Sequence, residues 1–445
     1  NNILSPIVSA GFYYKTFMGP KGCGKNVYEP LIRRTAGLGK PPKEFKSKSI
    51  HQHHNVDVII VGGGLSGLLA ARKFAGTNYD VLLVEREDAL GGVLKNADKI
   101  KSINDQPADE WLEKTERLIR NSNNIKILKN TLVTTYNFSD HLIALEDKNV
   151  GKPQDNEKPE LVLHKIRTKH TILANGHIER FITFRNNDLP GVMLAASFEK
   201  YLNRYGVVPD ESPVIFTNNS STFSLLKSLT DLGHKPKAYV DIRDQKNIEK
   251  ETVDLLEKFN IPFYPKSEIE GCEGQKEVKK VSIRTKKNQI SKIKTSMLCV
   301  SGGFNPDIHL FTQSKGLLKW DETLLTFKPD RIFQKTITLG SVSGNFSYEK
   351  LLVEVEKKLS EFEGLNELEV KFELNGPEKF QIKELWETKH EKKSLWSKSF
   401  IDLQNDVTTK DLRQAVNEGF NRIEHLKRFT TNSMGCDLGK ISSFN

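Results

Sequence analysis

The sequence predicts an α/β fold of two nested Rossmann-like units, the smaller inserted into the larger, with a small helical region at the C-terminal end. Three observations carry this prediction. Val56–Val61 (VDVIIV) is a β-branched apolar run that passes directly into Gly62-Gly63-Gly64 and then into an apolar, helix-forming stretch, Leu65–Ala75. Asp80–Val84 (DVLLV) is a second such run and closes a strand–helix–strand unit of about 30 residues. A similar cycle starts again at Pro213–Thr217. Continuous apolar runs of this length point to parallel strands covered on both faces, because a half-exposed sheet would alternate.

Four segments follow in order. Residues 1–54 read as an N-terminal interface segment and linker, with Gly37-Leu38-Gly39-Lys40-Pro41-Pro42 as a turn and Lys46–His54 as polar surface chain. Residues 55–178 and 297–364 form the first unit. Within it, Ala108–Arg120 has helical spacing and Ile125–Leu128 is a third strand. Leu142–Glu146, Leu161–Arg167 and His170–Ala174 read as an antiparallel meander laid over the sheet. Thr336–Gly340 is a return strand and Tyr348–Phe362 its helix. Residues 179–296 form the inserted unit: strands at Pro213–Thr217, Lys237–Asp241 and Ile261–Tyr264, helices at Ser221–Leu232 and Thr252–Phe259. Val278–Thr285 and Lys292–Val300 read as a strand pair. Residues 365–445 form a charged C-terminal subunit-interface region, mostly helical over Val407–Phe429, with Thr408 or Thr409 as N-cap.

Composition narrows the function classes. No apolar run approaches the length of about 18 residues that a membrane span needs, so no integral membrane segment is expected. Net charge is +10, but the 67 basic residues are interspersed with 57 acidic ones, which argues for a solvated surface rather than a nucleic-acid stripe. Cys23, Cys272, Cys299 and Cys436 are far apart, so neither a C-x-x-C redox pair nor a local metal or cluster ligand set is expected. A reducing, cytoplasmic setting fits. His51, His53 and His54 have no carboxylate or cysteine at ligand spacing and are read as solvated.

The glycines carry the chemistry. Gly62, Gly64 and Gly67 make G-x-G-x-x-G, with Gly63 between, directly after a strand and opening a helix. Gly62 permits the turn, Gly64 admits a pyrophosphate to the backbone, and Gly67 lets helix and strand touch. The amides of Leu65 and Ser66 open the helix and suit phosphate. Glu85, with Arg86 beside it, ends the second strand 21 residues after Gly64, where a carboxylate accepts ribose hydroxyls and repels a 2′-phosphate. The first unit is therefore an adenine-dinucleotide-binding domain of the FAD/NAD type. Gly91-Gly92 is either a second backbone approach to the pyrophosphate or a plain turn. Val133 stands where such folds offer backbone to adenine, and Ala174 to Gly176 where they close the domain. The inserted unit has Thr217-Asn218-Asn219-Ser220-Ser221 in place of glycines and is read as structural. Gly340-Ser341 replaces the Gly-Asp pair that usually anchors FAD in a disulfide-reductase-like flavoprotein architecture; that anchor is missing, but a serine still donates or accepts a hydrogen bond, so FAD and NAD both stay open. Lys427, Arg428, Thr430 and Thr431 end a helix. They would hold a flavin phosphate, face a partner, or simply suit the negative end of the helix.

Several uncommon strings then resemble one family. Gly11-Phe12-Tyr13-Tyr14-Lys15-Thr16-Phe17-Met18, Asp188-Leu189-Pro190-Gly191-Val192-Met193, Ser301-Gly302-Gly303-Phe304-Asn305-Pro306 and Phe400-Ile401-Asp402-Leu403-Gln404-Asn405-Asp406-Val407 are similar to segments of α subunits of heterotetrameric sarcosine oxidase and of related dye-linked L-proline dehydrogenases. The resemblance implies a division of labour. A separate β subunit carries FAD and oxidises an amine or amino acid, FMN sits at the interface of the two subunits, and the α subunit holds NAD in its G-x-G-x-x-G domain. Small additional subunits are also implied. No substrate-activating acid, base or nucleophile is evident on this chain, so catalysis is expected on the partner. The family continues into a folate-binding domain, whereas the residues here end at Asn445, so folate chemistry is not expected on them. Two alternatives stay open: a self-sufficient FAD-containing NAD(P)H-dependent oxidoreductase, and a non-catalytic scaffold with a structural nucleotide.

Overall fold

The structure, a computed structural model, describes residues 20–35, 49–150, 161–208, 211–377, 380–389 and 393–443. The opening string Gly11–Met18 and the turn Gly37–Pro42 lie outside these residues. The first described stretch of the N-terminal segment contains a π-turn, Gly24–Tyr28, that runs into a helix, Glu29–Thr35.

The first sheet contains β1 (Ser49–Val61), β2 (Val81–Val84), β3 (Ile125–Leu128), β4 (Thr131–Asn137), β5 (His141–Asp147) and β6 (Leu161–Leu173), in the order β3-β2-β1-β6-β5-β4. β1 is parallel to β2 and β6, and β2 to β3, while β4 and β5 are antiparallel additions. Helix α1 (Leu65–Phe74) follows β1 and α2 (Ala108–Asn121) precedes β3. Along β1, Val58 and Ile60 enter one core cluster and Ile59 and Val61 the other. Burial on both faces is why this strand reads as an unbroken apolar run.

Two expectations change here. β1 begins at Ser49 and pairs with β6 from Ser49↔Leu161 onward, so residues 49–54 are strand rather than linker. His54 Nε2 lies 2.9 Å from His164 Nδ1, whose Nε2 lies 3.0 Å from Glu146, so His54 is not simply solvated. Burial, foremost, pushes the His54 imidazole down to about 4. The meander is also not laid over the sheet. Leu161–Leu173 is one long strand, antiparallel to β5 along its first half and parallel to β1 throughout.

The second sheet has β7 (Val192–Leu194), β8 (Val214–Thr217), β9 (Ala238–Asp241), β10 (Phe263–Pro265) and β11 (Leu298–Ser301), all parallel, in the order β7-β11-β8-β9-β10. Helices α3 (Ala195–Tyr205), α4 (Phe223–Asp231) and α5 (Lys250–Lys258) cover it. Lys292–Val300 is thus two elements. Ile290–Lys294 closes a surface hairpin with Lys280–Arg284, and Leu298–Ser301 is a buried strand of the second sheet. Residues 298–301, assigned above to the first unit, therefore belong to the inserted one. The chain returns through β12 (Thr336–Thr338), which pairs with β6, and α6 (Tyr348–Leu359) packs under it. At the C-terminal end the helical stretch is two helices, α7 (Thr409–Asn417) and α8 (Ile423–Thr430). Thr408 and Asp411 form a reciprocal capping box on α7.

Candidate functional site

The strand order reverses at β1, which has β2 on one side and β6 on the other, and the carboxyl ends of β1 and β6 meet there. A crevice at such a point is where an open α/β sheet binds a dinucleotide. Gly62, at φ +106°, turns the chain out of β1, and a Cβ on it would stand 2.4 Å from the Ala174 carbonyl oxygen. A Cβ on Gly67 would stand 1.8 Å from the Gly62 carbonyl oxygen. Gly64 differs: the nearest atom to an added Cβ is the Gly92 Cα at 4.0 Å, an ordinary contact distance, so a Cβ fits there without a clash.

Residues distant in sequence converge on this turn. Gly91 donates its N–H to the Gly63 carbonyl at 2.9 Å, and Gly64 and Gly91 form a parallel bridge. Gly340 packs so closely that a Cβ would stand 2.1 Å from Ser66 Oγ, and its N–H donates to Glu354. Ser341 Oγ is 2.9 Å from His177 Nδ1. Gly176 has φ +86° with open space beside it, and its carbonyl accepts from Asp307 N–H at 3.0 Å. Leu65 is buried in the first core cluster, and Val133, also buried, lies in β4.

Glu85 is buried at the end of β2. One carboxylate oxygen accepts the Gly63 N–H at 2.6 Å and the other the Glu87 N–H at 2.9 Å. The same loop thus fixes the acid and offers the amides. Arg86 points outward toward Glu87, at 3.7 Å.

The inserted unit is closed at the corresponding point. Its turn is tied by Asn219, whose side chain donates to the Ser301 carbonyl at 3.2 Å and accepts from Ser221 N–H at 2.9 Å. The segment 381–383 covers it: Ser220 N–H donates to the Gln381 carbonyl at 3.1 Å, and Lys383 N–H to the Asn218 carbonyl at 2.9 Å. Asp241, at the end of β9 where a ribose acid would stand, is fully buried against Arg243 at 2.8 Å.

The C-terminal residues do not join the glycine turn. Lys427 and Arg428 occupy the last turn of α8, where cations suit the helix dipole. Thr430 donates its hydroxyl to the Leu426 carbonyl at 2.8 Å, and Thr431 is the left-handed C-cap.

The sequence reading missed a buried polar group beside the turn. His177 and Glu179 lie on a short strand, His177–Glu179, paired with Phe304–Pro306. Glu179 accepts the Ala196 N–H at the start of α3 at 2.7 Å, and Glu199 is buried on the same helix. Burial drives the His177 imidazole down to about 3 and raises the carboxyls of Glu179 and Glu199 each to about 7. His177 directly follows the Ala174–Gly176 turn in sequence, which is the one signal that could have pointed to it.

Residues 60–109 match the NAD(P)-binding Rossmann-like domain family, and residues 396–445 match the sarcosine oxidase A3 domain family. The chain is 31% identical to the sarcosine oxidase subunit alpha of Rhizobium meliloti (strain 1021) over 463 aligned positions, covering 100% of this chain and 44% of that protein. The chain therefore spans less than half the length of this curated relative. Its fold is similar to that of L-proline dehydrogenase from P. horikoshii, with a TM-score of 0.63 and 20% identity over 91% of this chain and 75% of the other. It is also similar to T. acidophilum thioredoxin reductase, with a TM-score of 0.51 and 17% identity over 68% of this chain and 95% of the other. Along its whole length this chain resembles the sarcosine oxidase alpha subunit, and its fold is similar to those of L-proline dehydrogenase and thioredoxin reductase.

Proposed function

We propose that this chain is the α subunit of a hetero-oligomeric, flavin-dependent amine or amino-acid oxidoreductase and holds one adenine dinucleotide. The observation that carries this reading is the glycine turn. Gly62 and Gly67 have no room for a side chain, Gly64 meets nothing nearer than the Gly92 Cα at 4.0 Å, and Glu85 is bonded to the neighbouring Gly63 N–H. Those residues fit a dinucleotide. The Leu65 and Ser66 amides would receive the pyrophosphate, Glu85 the adenosine ribose, and the Val133 backbone the adenine. Gly91, Gly92, Gly176 and Ser341 would border the distal half. NAD is favoured over FAD, because Ser341 stands in place of the carboxylate that would anchor a ribityl chain.

The partners follow from the resemblance. An FAD-containing β subunit would oxidise a secondary amine or amino acid of the sarcosine or proline type, with smaller subunits completing a cytoplasmic assembly. An interface FMN, when bound, would pass the electrons onward, and Lys427, Arg428, Thr430 and Thr431 are the residues proposed to meet its phosphate. An exposed apolar surface supports the partner reading: Ile423, Phe429, Met434 and Leu438 are each about half or more exposed at the C-terminal end. A stand-alone NAD(P)H-dependent flavin reductase is disfavoured, since the second nucleotide turn is covered by residues 381–383.

The test is to purify the chain with whatever accompanies it, denature it, and identify the released nucleotides by mass spectrometry. NAD on the chain, with FAD and FMN arriving only with a partner, is the expected result. FAD on the isolated chain, reducible by NADH, would overturn the reading.

A further inference from the structure

We propose that Lys200 and Arg204, on helix α3 of the inserted unit, are positioning residues for the adenosine end of the nucleotide site. By clamping Glu87 they hold the main-chain amide that orients the Glu85 carboxylate. This rests on the dinucleotide reading above and deepens it, because it ties the ribose acid of the first unit to a helix of the second.

The spacing along α3 places the two cations together. Phe198 and Leu202 are buried in a core cluster of the inserted unit. Lys200 and Arg204 follow each of these by two residues, which carries them just over half-way round the helix, and they stand one turn apart. They meet the Glu85–Asp88 segment that leaves β2. Lys200 Nζ lies 3.1 Å from each Glu87 carboxylate oxygen, and Arg204 Nη1 lies 3.2 Å from Glu87 Oε2. Arg204 also binds Asp88 through Nη2. The seam continues at Lys227 of α4, whose ammonium is 3.2 Å from Asp98. The acids of these pairs all belong to the first unit and the cations to the inserted one. The Arg204 side chain is 12% exposed, and those of Lys200 and Glu87 are each 29% exposed, so solvent screens the clamp only in part.

Glu87 acts on the site through its main chain. Glu85 Oε1 accepts the Glu87 N–H at 2.9 Å, and Oε2 accepts the Gly63 N–H at 2.6 Å. Each oxygen keeps a second lone pair for a ribose hydroxyl, and these two amides set the plane in which those lone pairs lie. A second tether fixes the far side of Glu87: the Asn130 N–H donates to the Glu87 carbonyl at 3.0 Å. That bond holds the peptide after Glu87, whereas the N–H that orients Glu85 belongs to the peptide before it. With the side chain anchored on α3 and the carbonyl anchored on Asn130, the N–H, the remaining polar arm of the Glu87 Cα, has one direction left. Releasing the side chain frees that amide to swing and the Glu85 carboxylate to rotate with it. Hydrogen bonds from ribose hydroxyls to an ionised carboxylate are the strong kind, so their geometry matters to binding.

The purified complex, stripped of nucleotide, is titrated by calorimetry with ADP and with 2′-deoxy-ADP, which differ by one ribose hydroxyl. The unsubstituted protein should prefer ADP by at least about tenfold. Glu87→Gln keeps the main-chain amide and the shape of the side chain but removes the charge that Lys200 and Arg204 hold. It should lower the preference for ADP at least about threefold. Lys200→Met combined with Arg204→Met should do the same, and the conservative pair Lys200→Arg with Arg204→Lys should restore the preference. A clamp that served only to join the two units would lower the melting temperature and weaken both nucleotides alike. An unchanged ratio in Glu87→Gln would therefore overturn this inference alone, and so would equal binding of ADP and 2′-deoxy-ADP by the unsubstituted protein. Failure of ADP to bind at all would overturn the dinucleotide reading and this inference with it.

Discussion

Gly64 and Gly67 share one motif but have different jobs. A Cβ on Gly67 would overlap the Gly62 carbonyl, so Gly67→Ala should cost about 3 kcal/mol of stability through forced separation of helix and strand. Gly64 has extended backbone, φ −74° and ψ −176°, that alanine adopts freely. Gly64→Ala should hold or raise stability by about 0.4–1 kcal/mol while weakening nucleotide binding at least about tenfold. Urea unfolding and calorimetric titration separate the two, and equal effects of both variants on both readouts would refute the division. Glu179 makes a second prediction at this scale. Its folded carboxyl is raised from 4.5 to about 7, so the folded state binds more protons than the unfolded chain between those values. Stability is therefore lost as pH rises from 4.5 to about 7, then levels off. His177 opposes it, since an imidazole lowered to about 3 loses stability as pH falls below 6.5. Relative to the parent, Glu179→Gln should gain on the order of 3 kcal/mol in urea unfolding between about pH 4 and about pH 8. A difference independent of pH would contradict a buried protonated acid at 179.

The elements that were easy to read are those whose burial is written in a few adjacent residues. Val81–Val84 and Val214–Thr217 are covered on both faces and consist of apolar or β-branched residues. Ser49–Asn55 is polar and becomes strand because β6 lies alongside it, so its own composition holds no trace of the pairing. Lys292–Val300 did contain a signal. Ile290–Lys294 alternates between exposed and partly buried residues, whereas Leu298–Ser301 is buried throughout, so the period changes where the sheet changes. The second turn depends on one buried pair. Arg243 is 3% exposed and Asp241 fully buried, with Glu249 also on the guanidinium at 3.3 Å. Removing the cation leaves two buried carboxylates uncompensated, so Arg243→Ala should destabilise by about 3–5 kcal/mol. The nucleotide affinity of the folded fraction should not change, because the pair stands at the closed turn. A lost affinity at unchanged stability would instead assign Arg243 to a ligand.

Across the whole molecule, the C-terminal region presents the surface that a partner would cover. Phe429 is 47% exposed and stacks on Phe420 at 4.5 Å, next to the basic turn of α8. Phe429→Asp should leave the melting temperature of the isolated chain unchanged and cause dissociation of the accompanying subunits in size-exclusion chromatography; an intact assembly would place the interface elsewhere. By itself the sequence determined the two parallel βαβ units, the G-x-G-x-x-G turn and its acid, and the likeness to one family. These are local, because runs of apolar residues, glycines at fixed offsets and short strings are set by neighbouring residues. Only the tertiary structure decided that Gly340 meets Ser66, that residues 381–383 seal the second turn, and that Glu179 and Glu199 are buried on two different elements. The reason is that such contacts join residues of large sequence separation, and whether a carboxyl is buried, paired or protonated is fixed by what folds against it rather than by its neighbours in the chain.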